Sequence, residues 1–172
     1  MRLFDIWSQR IPNYDQQYSD LFSKFALTAT SQKGEEAMGQ QGKVFATNYE
    51  FYIYAFFLGI YSDTNRPTSE KACNFGHVIE NWGKKNTPER TGFRQIQEYI
   101  FGLIILKSGV DFLALEFEED ENIVSKAVTS LLKVMENYTN GGLSIIQDKV
   151  KDDPNIFYMP MGPLNELLAY CV

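Results

Sequence analysis

The sequence predicts an all-α protein: a single compact domain of about six to seven helices over residues 1–172, arranged around two strongly apolar central helices at about 49–61 and 96–106. Three observations carry that expectation. Apolar residues recur at helical spacing along most of the chain. Two runs, NYEFYIYAFFLGIYSD from Asn48 and the stretch from Tyr99 to Leu106, are apolar almost throughout. Strand–helix alternation, low-complexity tracts and composition breaks are all missing, so nothing in the sequence marks a second domain.

The first apolar run decides how such stretches are read. From Tyr49 to Tyr61 only Glu50 and Gly59 are neither apolar nor aromatic. As a helix the run rises about 20 Å, against roughly 30 Å of hydrocarbon in a bilayer. A helix apolar all round that cannot span a membrane is expected in a core. Gly59 and Gly102 lie inside the two apolar runs, where glycine costs about 1 kcal/mol relative to alanine. Close approach of two helix backbones would offset that cost.

Element by element, Asn13 followed by Gln16 has the form of a reciprocal N-cap, and Tyr14, Tyr18, Leu21, Phe22 and Phe25 predict a helix over about 14–29. An irregular connection follows at about 30–47, with one helical turn near Glu35 to Met38. The second helix is Asn48 to Tyr61, ended by the turn at 63–67. Thr68 or Ser69 caps a third, whose Phe75, Val78, Ile79 and Trp82 form one face, with Gly83 as its stop. Thr87 before Pro88 opens a fourth helix, whose stretch from Tyr99 to Leu106 is expected to be buried on all sides.

Leu113, Leu115 and Phe117 alternate as in a short strand or a packed loop. A helix from Glu121 to Tyr138 follows, with Val124, Ala127, Val128, Leu131 and Met135 inward. Asn140-Gly141-Gly142 is read as its stop, before a shorter helix from Leu143 to about Lys151. Three prolines, Pro154, Pro160 and Pro163, predict an extended segment at about 153–163, and Pro163 then opens a last short helix.

Composition narrows function. Cys73 and Cys171 are too few for a disulfide framework, the N-terminus shows no apolar leader pattern, and a cytoplasmic location is expected. Basic against acidic residues number 5 against 7 over 1–65, 7 against 4 over 66–110 and 4 against 11 over 111–172, so the net charge of −6 concentrates in the last third. General nucleic-acid binding is disfavoured, leaving only a local patch of Arg66, Lys71, Lys84, Lys85, Arg90 and Arg94 beside Trp82. The acids from Glu116 to Glu121 lack EF-hand spacing and read as a helix N-terminus.

Catalytic signals are thin. The stretch AMGQQGKV, Ala37 to Val44, approaches a phosphate loop, but Val44 stands where a magnesium-holding hydroxyl belongs. On the expected third helix Cys73, His77 and Glu80 share a polar face at i, i+4 and i+7. That is the most definite candidate for a nucleophile, base and orienting group, although neighbours on one helix face rarely converge on a single atom. No metal or cofactor is expected.

The reading that follows is a non-catalytic protein-interaction module, a homo-oligomer or a small subunit of a larger assembly. It rests on aromatic content of 15% and on IFYMPMGP, where Phe157, Tyr158, Met159 and Met161 make an apolar docking strip. The alternatives are an enzyme or ligand-binding protein centred on Cys73, His77 and Glu80, and an accessory nucleic-acid binder using the basic patch.

Overall fold

The computed structural model describes residues 2–27, 43–83, 93–159 and 161–170. Among these the protein is all-α. Its helices are α1 (Arg2–Ser8), α2 (Ser19–Phe25), α3 (Asn48–Tyr61), α4 (Phe93–Ser108), α5 (Phe112–Glu116), α6 (Glu121–Asp152) and α7 (Gly162–Leu168). Strands β1 (Asn13–Asp15) and β2 (Ala72–Asn74) form a two-stranded sheet, and 3-10 turns occupy Gln16–Tyr18, Ile79–Asn81 and Ile156–Tyr158. No helix among the described residues is long and apolar enough to cross a membrane. The chain divides into two compact units, Met1–Asn13 with Asn74–Glu136 and Tyr14–Cys73 with Asn137–Val172.

In the first unit, α1 forms where the sequence reading placed no element. Its Leu3, Phe4 and Trp7 are buried, and Phe4 and Trp7 meet Phe101 of α4 at ring separations of 5.5 and 5.2 Å. Only one stripe of α4 is buried: Gln97, Ile100, Phe101 and Ile104. The expectation that 99–106 is enclosed on all sides is therefore corrected, because Tyr99 and Leu106 face outward. The helix expected to run from Thr68 through Trp82 is also absent. The N–H groups of Phe75 and Ile79 donate to Pro12 and Arg10 carbonyls instead of to the preceding turn, and Gly76 and Gly83 take positive φ. Ile79 and Trp82 are still buried, so the apolar pattern survives without the helix. Residues 112–116 form α5 and not a strand, capped by Asp111 accepting from the Ala114 N–H at 3.0 Å.

In the second unit, α3 matches its expected bounds, capped by the Thr47 hydroxyl accepting from the Glu50 N–H. Eight of its residues, including Phe51, Tyr52, Phe56 and Leu58, are buried. Rings of α2, α3 and the C-terminal segment interlock: Phe22 on Phe51 at 4.9 Å, Phe25 on Phe157 at 5.3 Å and Tyr54 on Phe157 at 6.1 Å. The expected helix over 14–29 starts late. Tyr14 and Asp15 belong to β1, and Asp15, not Asn13, caps the 3-10 turn that precedes α2 by accepting from the Gln17 N–H.

The expected stop at Asn140-Gly141-Gly142 is the largest correction here, since α6 runs through it unbroken. A Cβ on Gly59 would collide with the Tyr138 carbonyl, one on Gly142 with the Ala55 carbonyl, and one on Gly141 with the Thr64 carbonyl. Glycine inside α6 costs helix propensity but lets two backbones touch, so close packing outweighs the local stop signal. Gly59 does mark a close approach, as anticipated, whereas Gly102 meets nothing within 4 Å among the described residues. Residues 30–42 of the connection expected at about 30–47, with its turn near Glu35, the Thr87-Pro88 start signal, the loop-like AMGQQG and Cys171 lie outside the described residues.

Candidate functional site

Loss of the helix over 68–83 dissolves the spacing that joined Cys73, His77 and Glu80. Cys73 is half-buried in β2, with its Sγ 3.6 Å from the Ser19 Oγ. His77 lies exposed in a bend, where its carbonyl accepts from the Trp82 Nε1–H at 3.4 Å. Glu80 sits in the 3-10 turn that follows. The three therefore do not share one helical face, the arrangement on which their candidacy as nucleophile, base and orienting group rested. Tyr14 neighbours Ser19 and Cys73, and burial pushes its phenol up, which keeps it protonated at neutral pH. No group of three His, Cys, Asp or Glu side chains among the described residues is arranged to hold a metal ion.

Within the first unit a cleft of about 430 Å³ is lined by Phe4, Asp5, Glu80, Trp82, Arg94 and neighbouring residues. Arg94 is the only member of the expected basic cluster beyond Trp82 that falls among the described residues; Lys84, Lys85 and Arg90 do not. Its guanidinium pairs with Glu98 at 2.9 Å, approaches Asp5 at 3.8 Å and lies over the Phe4 ring. Among the described residues that line the cleft Arg94 is the one cation, and two carboxylates and a ring face already neighbour it. Trp82 is buried and presents no stacking platform.

Two buried acids escaped sequence reasoning, because each is recognisable only by long-range bonds. Asp15 accepts from the N–H groups of Gln17 and Ser69 at 3.1 and 2.9 Å, while its own N–H donates to Asn140 Oδ1. Burial works against its charge, yet the bonds to Ser69 and Gln17 prevail and hold its carboxyl below the ordinary value. Asn140 also donates to the Thr68 hydroxyl at 2.9 Å, so the residue read as a helix stop is a buried tie. Glu136 accepts from the Asn13 N–H and Nδ2 at 2.8 and 3.0 Å; burial nevertheless pushes its carboxyl up. Both acids are structural in kind.

The C-terminal strip is split by the fold. Phe157 is buried against Phe25 and Tyr54, so it anchors the segment and is not a contact residue. The Tyr54 hydroxyl donates to the Pro163 carbonyl at 2.9 Å, its phenol held protonated by burial, and Lys149 pairs with Glu166 at 3.0 Å. Fixed at those points, the segment leaves Tyr158, Leu164 and Leu168 exposed, together with Met159 and Met161 at 61% each.

A second exposed apolar group was not anticipated. Tyr99, Leu106, Leu113 and Phe117 are 53, 74, 67 and 80% exposed, on α4, on α5 and just after it. Their apolar character is plain in the sequence, but the same character was read as burial. Comparison with protein-family models, curated proteins and solved structures finds no match to this chain.

Proposed function

We propose that the chain is a non-catalytic protein-interaction module, acting in the cytoplasm as a homo-oligomer or as a small subunit of a larger assembly. The observation that supports this reading is the anchored C-terminal strip: Phe157, Tyr54 and Glu166 fix it, and two methionines, two leucines and a tyrosine remain outside. Unbranched methionine on a rigid support adapts to the shape of a partner surface at little cost in order. The catalytic alternative has lost its shared helical face, and the nucleic-acid alternative has Arg94 engaged with Glu98 and Phe4. The cytoplasmic location is supported by the scarcity of cysteine.

Light scattering on the full chain from low to high micromolar concentration tests the oligomer. One chain is 19.8 kDa. Wild type is expected to exceed that mass at high concentration, and Met159→Asp with Met161→Asp to remain at it. If wild type stays monomeric throughout, the subunit form of the proposal is examined by purification from the native cell. Identical co-purifying proteins for wild type and the double variant would reject the strip as an interface.

A further inference from the structure

We propose that the segment from Leu106 to Ile123 is a docking surface for a cationic amphipathic helix of a partner protein. It lies in the first unit, belongs to a different part of the chain from the C-terminal strip, and its test does not depend on self-association. The carrying observation is that Leu106, Leu113, Phe117 and Ile123 are exposed on a segment in which Asp111, Glu116, Glu118 and Asp120 are held by hydrogen bonds. Glu116 accepts from the N–H groups of Arg2 and Leu3, tying α5 to the start of α1. The Arg2 guanidinium donates to the Glu118 carbonyl, Asp111 caps α5, and Phe112 rests on Phe101 at 6.4 Å. Leu113 and Phe117, four residues apart, share one side of this held turn.

Large apolar side chains left outside a rigid turn form a pre-ordered contact surface, for which a partner sacrifices little conformational entropy. Charge selects the occupant. Over residues 106–123 the basic side chain is Lys107 alone, against Asp111, Glu116, Glu118, Glu119, Asp120 and Glu121. These acids are not grouped to enclose a metal ion. They give the segment that carries the apolar residues a net negative charge, which Arg2 of α1 offsets only in part, and this favours a helix bearing Lys or Arg beside a leucine-type stripe. The same charge repels an anionic membrane surface and a second copy of this acidic segment.

The test uses the full chain and a fluorescent helical peptide of leucine and lysine at amphipathic spacing, followed by anisotropy. A scrambled peptide of equal composition and a leucine–glutamate counterpart serve as controls. The amphipathic cationic peptide is expected to bind at least tenfold tighter than its scramble, and the glutamate peptide not at all. Leu113→Ser with Phe117→Ser, which leaves charge unchanged, should weaken binding at least tenfold, with an unaltered melting curve showing that the fold is intact. Glu119→Lys with Glu121→Lys should weaken it as well. Absent binding, equal affinity for the scramble, or retention by the serine variant would overturn the proposal, the last two reducing it to general charge attraction. It is equally overturned if neutral lipid vesicles, or a dimer of the chain, depend on Phe117 instead.

Discussion

Helices α3 and α4 carry apolar runs of the same kind, each interrupted by one glycine, and the protein uses them in opposite ways. In α3 the glycine is a contact: a Cβ on Gly59 would strike the Tyr138 carbonyl, and the helix is buried on most sides. In α4 the glycine meets nothing within 4 Å among the described residues, and Ile96, Tyr99 and Leu106 face outward. Hydrophobic content alone therefore does not state whether a helix is enclosed or offered. What distinguishes them is the partner: Gly142 of α6 lets that helix's backbone meet α3 at Ala55 and Gly59, and among the described residues α4 has no such neighbour over Gly102.

The largest expected effect lies within α4 itself. Phe101→Ala, which removes a ring seated against Phe4 and Trp7, should destabilise by about 4 kcal/mol, as core aromatic truncations do. Leu106→Ala, one turn further on and outward, should stay within about 0.5 kcal/mol. Urea denaturation of the two variants measures the contrast, and equal losses would mean that α4 is enclosed after all. Next in size is Gly59→Ala. With backbone and not a flexible side chain in the way, about 3 kcal/mol should be lost, at the upper end of overpacking, and Gly142→Ala should behave alike. Gly102→Ala should instead stabilise by about 1 kcal/mol, since the site is open and alanine is the better helix former. Opposite signs at the two glycines, read as shifts in denaturation midpoint, are the sharpest form of the comparison.

How much of this was legible beforehand depends on where the deciding bonds lie. The bounds of α3 follow from local signals, an apolar run with a turn after it, and the helical class follows from periodicity. The helix expected over 68–83 had a good apolar face and still did not form, because Pro12 and Arg10 carbonyls take its N–H groups. Asn140-Gly141-Gly142 has the composition of a stop and the function of a packing seam. In both places a contact distant in sequence overrode a local preference. The interaction strip was legible as composition, but that Phe157 points in while Met159 and Met161 point out depends on the ring cluster of Phe25 and Tyr54. Cys73, His77 and Glu80 were aligned only by the assumption of a helix.

The smallest predicted effects extend the contrast from helices to the two units, each of which holds a buried acid with the opposite response to pH. Asp15, in the second unit, has a folded-state carboxyl held below its ordinary value of 3.8. Between the two values the unfolded chain binds the proton more readily, so the stability from Asp15 is complete above about 4 and is lost as pH falls through the folded value. Asp15→Asn should accordingly cost about 1 kcal/mol at pH 7 and progressively less in acid. Glu136, in the first unit, is shifted upward from 4.5 by burial. There the folded chain binds the proton more readily, so its contribution is greatest below 4.5 and declines as pH rises through the folded value. Glu136→Gln keeps an oxygen to accept from Asn13 and removes the charge. Relative to wild type the variant should gain stability from pH 4.5 towards 7, the reverse of the trend at Asp15. Melting temperatures of both variants from about pH 2 to 7 decide it, the Asp15 change falling below about pH 4 and the Glu136 change above 4.5, and a Glu136→Gln curve that runs parallel to wild type above 4.5 would show that burial of Glu136 does not govern its ionisation.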